Sequence, residues 1–320
     1  MSFRSAGIHH VTAIAGDPQR NLAFYAGILG LRLVKVTVNY DDPATYHFYY
    51  GDETGSPGSV MTFFPWRDAP RGRSGVGQIS VTSFAIPPEA IAFWVGRLIH
   101  HGISYQGPLR RWDETVLTFS DPDGLVLELV GHPSAEERLG WVSGPIPPEA
   151  AIRGIYGVTV LEHALDPTGP VLVDTLGFAQ THADESRFRF EAPGDGLGRI
   201  IDVHVAGGFW GGIMGVGTIH HVAYRATDDT DQHMAQAQIK AAGMSTTAVL
   251  DRHYFRSVYF REPGEVLFEI ATEGPGFMVD ETRNNLGTGL RLPPWLEASR
   301  SSIQTRLPSV ELPASHDTVP

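Results

Sequence analysis

The sequence predicts an α+β fold in which four βαβββ modules pair into two half-open, barrel-like cups. The first observation is an internal repeat, because a short segment of alternating apolar and polar residues recurs at residues 7–14, 77–84, 154–161 and 218–225. The second is that a helix-like stretch with 3.6-residue apolar spacing follows these segments. The third is a set of strand-like runs joined by Pro/Gly turns, such as VLTFS-DPDG-LVLELVG in the second module.

Each module begins with its alternating strand. The four modules are expected at residues 7–66, 77–132, 153–205 and 218–272. Helices are expected at residues 17–29, 87–100 and 228–242, and a glycine ends each helical stretch, at Gly30, Gly102, Gly177 and Gly243. The strands that follow leave one sheet edge uncovered in each module. Pairing two modules side by side closes an eight-stranded cup, a shape that holds ligands.

A Pro- and Gly-rich segment at residues 131–149 predicts the domain boundary. We therefore expect an N-terminal pair of modules at residues 1–135 and a C-terminal pair at 150–273. Residues 274–320 have no sustained period and are expected to form an extended C-terminal tail, anchored at residues 293–296 (PPWL).

Composition excludes several classes of protein. The chain has 320 residues, a formal net charge of −12 and no clustered Lys/Arg stretch, which disfavours nucleic acid and anionic membranes as partners. No run of about 18 apolar residues and no secretory signal is found, so we expect a cytoplasmic protein. Because there is no cysteine, thiolate metal sites, iron–sulfur clusters and a cysteine nucleophile are excluded. Any metal must therefore bind to histidine and carboxylate ligands.

Two histidine pairs are the most informative feature. His9-His10 and His220-His221 occupy the same point of the first strand in modules one and four, where modules two and three have Ile79-Ser80 and Tyr156-Gly157. Because side chains alternate along a strand, we expect one histidine of each pair to point into the cup and the other towards the helix layer or the rim.

A carboxylate completes the candidate site. Glu269 lies in an apolar run (VLFEIA) on the last strand of module four, where an unpaired charge is costly. Its equivalent in module one is Thr62 or Phe63. Joining modules one and four gives two histidines and one carboxylate, the facial arrangement typical of non-haem Fe(II) oxygenases. A single strand histidine or buried glutamate is more often structural, but two equivalent pairs favour a metal.

The matching Glu128 of module two lacks histidine companions and is interpreted as structural. We therefore expect one metal per chain and an empty or purely structural second cup. The remaining histidines have no repeat-equivalent partners and are expected at the surface or in hydrogen-bonded core positions: His47, His100, His101, His132, His163, His182, His204, His233, His253 and His316.

Two further side chains are candidates near the metal. Tyr259 and Glu269 are each five residues from Gly264, so a symmetric hairpin would place them opposite one another on one face. Tyr259 is then a hydrogen-bond donor near the metal, although a tyrosine that fills the sheet surface is the alternative. Arg252 could orient Tyr259 or hold an anionic substrate oxygen, and a surface salt bridge is nearly as good an interpretation.

The chain resembles the vicinal oxygen chelate superfamily and, within it, the ring-cleaving dioxygenases that act on hydroquinones. The similar passages are GIHHVTAI at Gly7, YHFYYGDETGSPGSVMTFFPW at Tyr46, TIHHVAYR at Thr218, DRHYFRSVYFREPGEVLFEIATEGPGFMVDE at Asp251 and LPPWLE at Leu292. The resemblance implies Fe(II), or alternatively Mn(II), on His10, His221 and Glu269. The residues that it implies around the metal are His9, Thr12, His220, Arg252 and Tyr259.

The resemblance further implies a small aromatic diol and O2 as reactants, with Tyr259 and His220 as candidates for proton delivery. A homodimer is expected from base rates alone. Two other functions stay open on the same fold. A glyoxalase-like isomerase or transferase usually has a fourth carboxylate ligand. A non-catalytic protein that binds drugs or aromatic ligands generally lacks a complete set of metal ligands.

Overall fold

The computed structural model describes residues 2–313, which form two curved eight-stranded sheets with helices packed against them. The strands are β1 (Ile8–Ala15), β2 (Arg32–Asn39), β3 (Asp42–Gly51), β4 (Val60–Pro65), β5 (Gln78–Ile86), β6 (Tyr105–Arg111), β7 (Glu114–Ser120), β8 (Val126–Gly131), β9 (Gly154–Glu162), β10 (Ala179–Asp184), β11 (Arg187–Glu191), β12 (Ile200–Val205), β13 (Thr218–Ala226), β14 (Leu250–Asp251), β15 (Arg256–Arg261) and β16 (Leu267–Thr272). The strand order is β14-β15-β16-β13-β1-β4-β3-β2 in one sheet and β10-β11-β12-β9-β5-β8-β7-β6 in the other. The predicted fold class is confirmed.

Helices follow the first strands as the apolar spacing predicts. They are α1 (Pro18–Leu22), α2 (Ile91–His100), α3 (Asp229–Ala241) and, near the end of the chain, α4 (Arg300–Arg306). The Asp17 carboxylate caps α1 by accepting a hydrogen bond from the backbone N–H of Arg20. This helix then continues as a π-helical turn over Ala23–Ile28, and module three has only such a turn, over Val171–Thr175.

Modules pair across the length of the chain. Antiparallel β1 and β13 join modules one and four, and antiparallel β5 and β9 join modules two and three. Each sheet therefore contains strands from both sides of the expected boundary. The expected division at residues 135 and 150 separates modules that are neighbours along the chain. Each cup instead combines a module from either side of it: modules one and four form one cup, and modules two and three form the other.

Two β-bulges interrupt the pairing of β1 with β13. The register passes from Ile8 to His10 on β1 while β13 advances by one residue, and from His221 to Ile219 on β13 while β1 advances by one. His9 and His220 are therefore the extra residues of the two strands. A bulge re-aims side chains out of strict alternation, so the order of faces along each histidine pair is altered.

Residues 274–313 pack on the first sheet, whereas His316 lies outside the described residues. This segment contains short 3-10 turns and α4, and Leu290 forms a β-bridge with Val36 on β2. Lys35 on β2 is fully buried and forms ion pairs with Asp280 and Glu281 of this segment. The expected extended tail is thus more structured than its sequence pattern suggests. The buried Lys35 ammonium group needs anionic partners, and this segment supplies them by packing against β2.

Candidate metal centre

Three side chains from three strands converge at the centre of the first sheet. His10 of β1, His221 of β13 and Glu269 of β16 are 2%, 4% and 0% exposed. The His10 Nε2 atom is 3.3 Å from His221 Nε2, and the Glu269 Oε2 atom is 3.4 Å from the former and 2.8 Å from the latter. All three candidate ligand atoms lie within 4.8 Å of one another, close enough for a single metal ion to bind them.

The strand registers explain this convergence. Parallel pairing of β13 with β16 sets Glu269 beside Ala223, two residues after His221 and therefore on the same face. On the other side of His221, antiparallel pairing sets Thr12 of β1 opposite it, and Thr12 is two residues after His10. One face of three adjacent strands thus carries the three candidate ligands.

Each histidine of the site is in contact with the histidine that precedes it. The His9 and His10 Nδ1 atoms are 2.9 Å apart, and those of His220 and His221 are 2.8 Å apart. Burial, followed by the charge of the neighbouring histidine, lowers the pKa of His9 to about 3 and that of His220 to about 3. Both are therefore neutral, and each can accept a hydrogen bond from the Nδ1–H of its neighbour, which leaves the Nε2 lone pairs of His10 and His221 directed at the centre.

The expectation that only one histidine of each pair faces the cup was wrong for His220. This side chain lines the same cavity as His221, because His220 is the bulged residue of β13 and its side chain is turned back. His9 does not line the cavity and contacts the Phe255 ring, at a centroid distance of 5.1 Å.

The two oxygens of the Glu269 carboxylate have different surroundings. The Oε1 atom accepts a hydrogen bond from the Ser257 hydroxyl, whereas Oε2 is buried without an aligned hydrogen-bond donor. Burial alone would raise the pKa of Glu269, but His10 and His221 outweigh it and lower this pKa well below its usual range. An ionised carboxylate oxygen that faces two imidazole nitrogens is a donor set that fits a divalent transition metal.

The fourth position around this centre carries a hydroxyl group. In module four Ala223 pairs with Glu269, and in module one the equivalent Thr12 pairs with Thr62 of β4. Of the two residues expected at the Glu269-equivalent position, the register therefore selects Thr62. Its hydroxyl donates to Thr12 Oγ1 at 2.8 Å.

A cavity of about 390 Å³ opens beside the candidate ligands. Its other walls are formed by Thr12, Asn39, Tyr40, Asp41, Asp42, His47, Tyr49, Phe64, Trp66, His220, Arg252, Phe255, Tyr259 and Leu267. Phe64 and Trp66 stack at 5.4 Å between ring centroids and give the cavity an aromatic wall. The space suits a single substituted aromatic ring.

Tyr259 and Arg252 lie together in this wall. Tyr259 pairs with Glu269 across β15 and β16, as the hairpin spacing predicts, and its pKa is raised by burial and by the Glu269 charge. The Arg252 guanidinium is 5.6 Å from the centre of the Tyr259 ring and 3.0 Å from the Asp41 carboxylate. The phenol therefore stays protonated beside a fixed positive charge.

His47 and Tyr49 were missed as cavity residues. His47 was expected to be an ordinary surface or hydrogen-bonded histidine; it is hydrogen-bonded but lines the cavity, with Nε2 2.9 Å from Thr62 Oγ1. Burial lowers its pKa well below the usual value. The available signal was the alternation of β3, which puts residues 47 and 49 on one face, but no repeat partner marked them.

Ion pairs fill the equivalent positions of the second sheet. Glu128 accepts from Ser83 at 2.7 Å and is held by Arg111 at 3.0 Å. Arg189, on β11, binds Asp202 in the same interior. These contacts agree with a structural Glu128. His253, which precedes the hairpin of β15 and β16, instead contacts Asp280 at 3.4 Å and does not line the cavity.

None of the helices in the described part of the chain is long and apolar enough to cross a membrane.

The model of the Glyoxalase/Bleomycin resistance protein/Dioxygenase superfamily matches residues 7–129 and 157–270. The chain is 45% identical to "Putative ring-cleaving dioxygenase MhqO" of Bacillus subtilis (strain 168), over 96% of this chain and 97% of that protein. It is 31% identical to the chlorohydroquinone/hydroquinone 1,2-dioxygenase of Sphingobium indicum, over 94% and 95%. The crystal structure of a protein described as "putative dioxygenase from Bacillus subtilis subsp. subtilis str. 168" matches with a TM-score of 0.92 and 44% identity, over 97% of this chain and 99% of that one.

Proposed function

Because the chain belongs to the Glyoxalase/Bleomycin resistance protein/Dioxygenase superfamily, we propose that it is an Fe(II)-dependent dioxygenase that opens the ring of hydroquinone-type aromatic diols. The observation that carries this proposal is the set of three ligand candidates with Thr62 in place of a fourth carboxylate. Two histidines and one carboxylate leave positions free for a diol oxygen and for O2. The name of the Sphingobium relative supports the substrate class.

His10, His221 and Glu269 would hold the iron. When bound, the metal supplies Lewis-acid and one-electron chemistry at a site that also holds both reactants. Mn(II) suits the same donor set and is the alternative metal.

The residues around the site have separate proposed roles. His9 positions His10, since its Nδ1 accepts from His10 and a hydrogen bond to the backbone of Thr272 engages the ring. A neutral His220 that accepts at Nδ1 carries its proton on Nε2, so it is a donor to substrate oxygen. Tyr259, kept protonated by burial, is a second donor, and Arg252 holds the phenol in place. Thr12 is a third hydroxyl group in the same cavity.

Oxygen uptake by the reconstituted protein tests the proposal. Protein loaded anaerobically with Fe(II) should consume O2 when hydroquinone or its methyl or chloro derivatives are added, with catechol as the comparator and Mn(II)-loaded protein as a parallel arm. Uptake that requires both metal and ring supports a dioxygenase. If one metal ion is bound per chain but no aromatic diol causes O2 uptake, the proposal is contradicted and the glyoxalase-like isomerase or transferase is favoured.

A further inference from the structure

Four side chains of module one form a continuous hydrogen-bonded row that ends at the cavity. The Tyr49 hydroxyl is 2.8 Å from His47 Nδ1, and His47 Nε2 is 2.9 Å from Thr62 Oγ1. The Thr62 hydroxyl in turn lies 2.8 Å from Thr12 Oγ1. Tyr49, Thr62 and Thr12 are each 1% exposed or less, whereas His47 is partly exposed in the cavity wall.

The row has one consistent direction. The hydroxyl of Thr62 donates to Thr12, so its single proton is used there and His47 Nε2 must carry the proton shared with Thr62. A neutral imidazole protonated on Nε2 accepts at Nδ1, where Tyr49 is the donor. Every proton in the row is therefore directed from Tyr49 towards Thr12.

The last hydroxyl proton in the row has no acceptor among the described residues. Thr12 accepts from Thr62 and lines the cavity, two residues after His10 and opposite His221. Its own O–H is thus available on the side where the candidate ligands converge. The row passes through Thr62, the residue at the repeat position of Glu269, so module one has a hydroxyl link where module four has a carboxylate.

We propose that Tyr49, His47 and Thr62 form a one-way hydrogen-bond chain that holds Thr12 as a donor to an oxygen atom of the bound aromatic diol. His47 and Tyr49 are then positioning residues that act through Thr62 and Thr12. The identity of the ligand rests on the proposed function, but the direction of the chain does not.

The proposal explains why a histidine is needed in the row. A neutral imidazole accepts at one ring nitrogen and donates from the other, so it can link the Tyr49 and Thr62 hydroxyls across the ring, and burial favours that neutral form. Without Tyr49 the His47 proton can move to Nδ1, after which Nε2 accepts from Thr62 and Thr62 must accept from Thr12. The Thr12 proton would then be withdrawn from the cavity.

The first test measures the His47 tautomer directly and needs no activity. Zn(II)-loaded protein labelled with ¹⁵N-histidine is compared with His47→Gln to assign the His47 signals. We expect protonated Nε2 and unprotonated Nδ1 in the wild-type chain, and loss of this preference in Tyr49→Phe. A proton on Nδ1 of the wild-type His47 would overturn the proposal.

The second test measures anaerobic binding of hydroquinone to the Fe(II)-loaded protein by titration calorimetry. Thr12→Val should weaken binding roughly tenfold, and Tyr49→Phe by a similar or smaller factor, as expected for one lost donor. Thr12→Ser should restore most of the affinity. In the Thr12→Val background, Tyr49→Phe should have no further effect, because the donor that it orients is already absent.

Tyr50→Phe is the matched control, since Tyr50 is a buried tyrosine on the same strand whose hydroxyl donates to Asn21. It should leave the affinity unchanged. Additive losses in Thr12→Val/Tyr49→Phe would show that Tyr49 acts through general packing and would overturn the chain. Failure of the wild-type protein to bind any hydroquinone would instead contradict the proposed function, while the tautomer measurement would still test the chain.

Discussion

At the scale of single residues, the candidate metal centre depends on what lies next to each ligand. His10 and His221 direct their Nε2 atoms at one point because their Nδ1 atoms are engaged by His9 and His220. Glu269 has one oxygen bound by Ser257 and the other left without a donor. The candidate ligands are therefore already oriented towards one point by the side chains beside them.

Removal of one ligand should abolish metal binding. Glu269→Gln keeps the shape of the side chain but removes the only carboxylate charge among the three, so we expect the bound metal to fall from one per chain to a trace. His10→Ala and His221→Ala should do the same. Glu128→Gln, which changes the matching carboxylate of the second sheet, should retain full binding. Elemental analysis after gel filtration measures the ratio, and retained metal in the first three variants would contradict the ligand assignment.

A buried acidic pair makes stability depend on pH. Glu162 and Glu262 are 3% and 1% exposed and share the Thr168 hydroxyl. Burial and the neighbouring Glu262 raise the pKa of Glu162 to about 7, compared with the ordinary 4.5. The folded state holds this proton more tightly than the unfolded state, so the free energy of unfolding should decline as the pH rises from about 4.5 to about 7.

Glu162→Gln should remove that loss. We expect the variant to be more stable than the wild type by roughly 2 kcal/mol at pH 8, with the difference shrinking towards pH 5. Urea unfolding at the two pH values measures it. Glu265→Gln, at an exposed position of the same turn, is the control and should show no such trend. A constant difference across the pH range would contradict the assignment.

At the scale of elements, the sequence predicts strands and helices well and their local irregularities poorly. Alternation locates β1 and β13, and apolar spacing locates α2 and α3, because those patterns repeat over many residues. A β-bulge is a single extra residue, and nothing in HH distinguishes a bulged His220 from a regular one. His47 was likewise missed, since its role depends on Thr62, which reaches it only through the pairing of β3 with β4.

A buried lysine is among the contacts that join residues 274–313 to β2. Lys35→Met should cost about 3 kcal/mol in the free energy of unfolding, because the fully buried Glu281 carboxylate loses the ammonium group that faces it. Lys240→Met, at the exposed and only other lysine, should cost little. Urea unfolding compares the two variants. Equal losses would mean that the ion pairs contribute nothing specific.

At the scale of the whole molecule, the pairing of modules was predicted from chemistry rather than from proximity. The chain order alone suggests that neighbouring modules share a domain, whereas the histidine pairs indicate that modules one and four meet. The structure joins those two through β1 and β13. What the sequence could not supply is the content of the second cup, because Arg189 and Asp202 meet only after β11 and β12 pair.

Metal binding should stabilise the whole fold, since the candidate ligands come from modules one and four, which lie far apart along the chain. At a free metal concentration of 100 times Kd, the gain is about 2.7 kcal/mol. We expect a chelator to lower the Tm of the loaded wild-type protein by several degrees. His10→Ala should show the same Tm with and without metal. Calorimetry under anaerobic conditions measures the shift, and an unchanged wild-type Tm would exclude linkage between metal and fold.

The long-range pairing of β1 also has a consequence for biosynthesis. β1 ends at Ala15, whereas β13 starts at Thr218 and Glu269 follows later still. At ribosomal elongation rates, on the order of tens of seconds separate the synthesis of His10 from that of Glu269. During that interval one edge of β1 has no partner, and the complete ligand set does not exist. A metal ion can therefore be held by all three candidate ligands only after nearly the whole chain has been translated, and a nascent chain that stops before residue 269 cannot assemble the candidate centre.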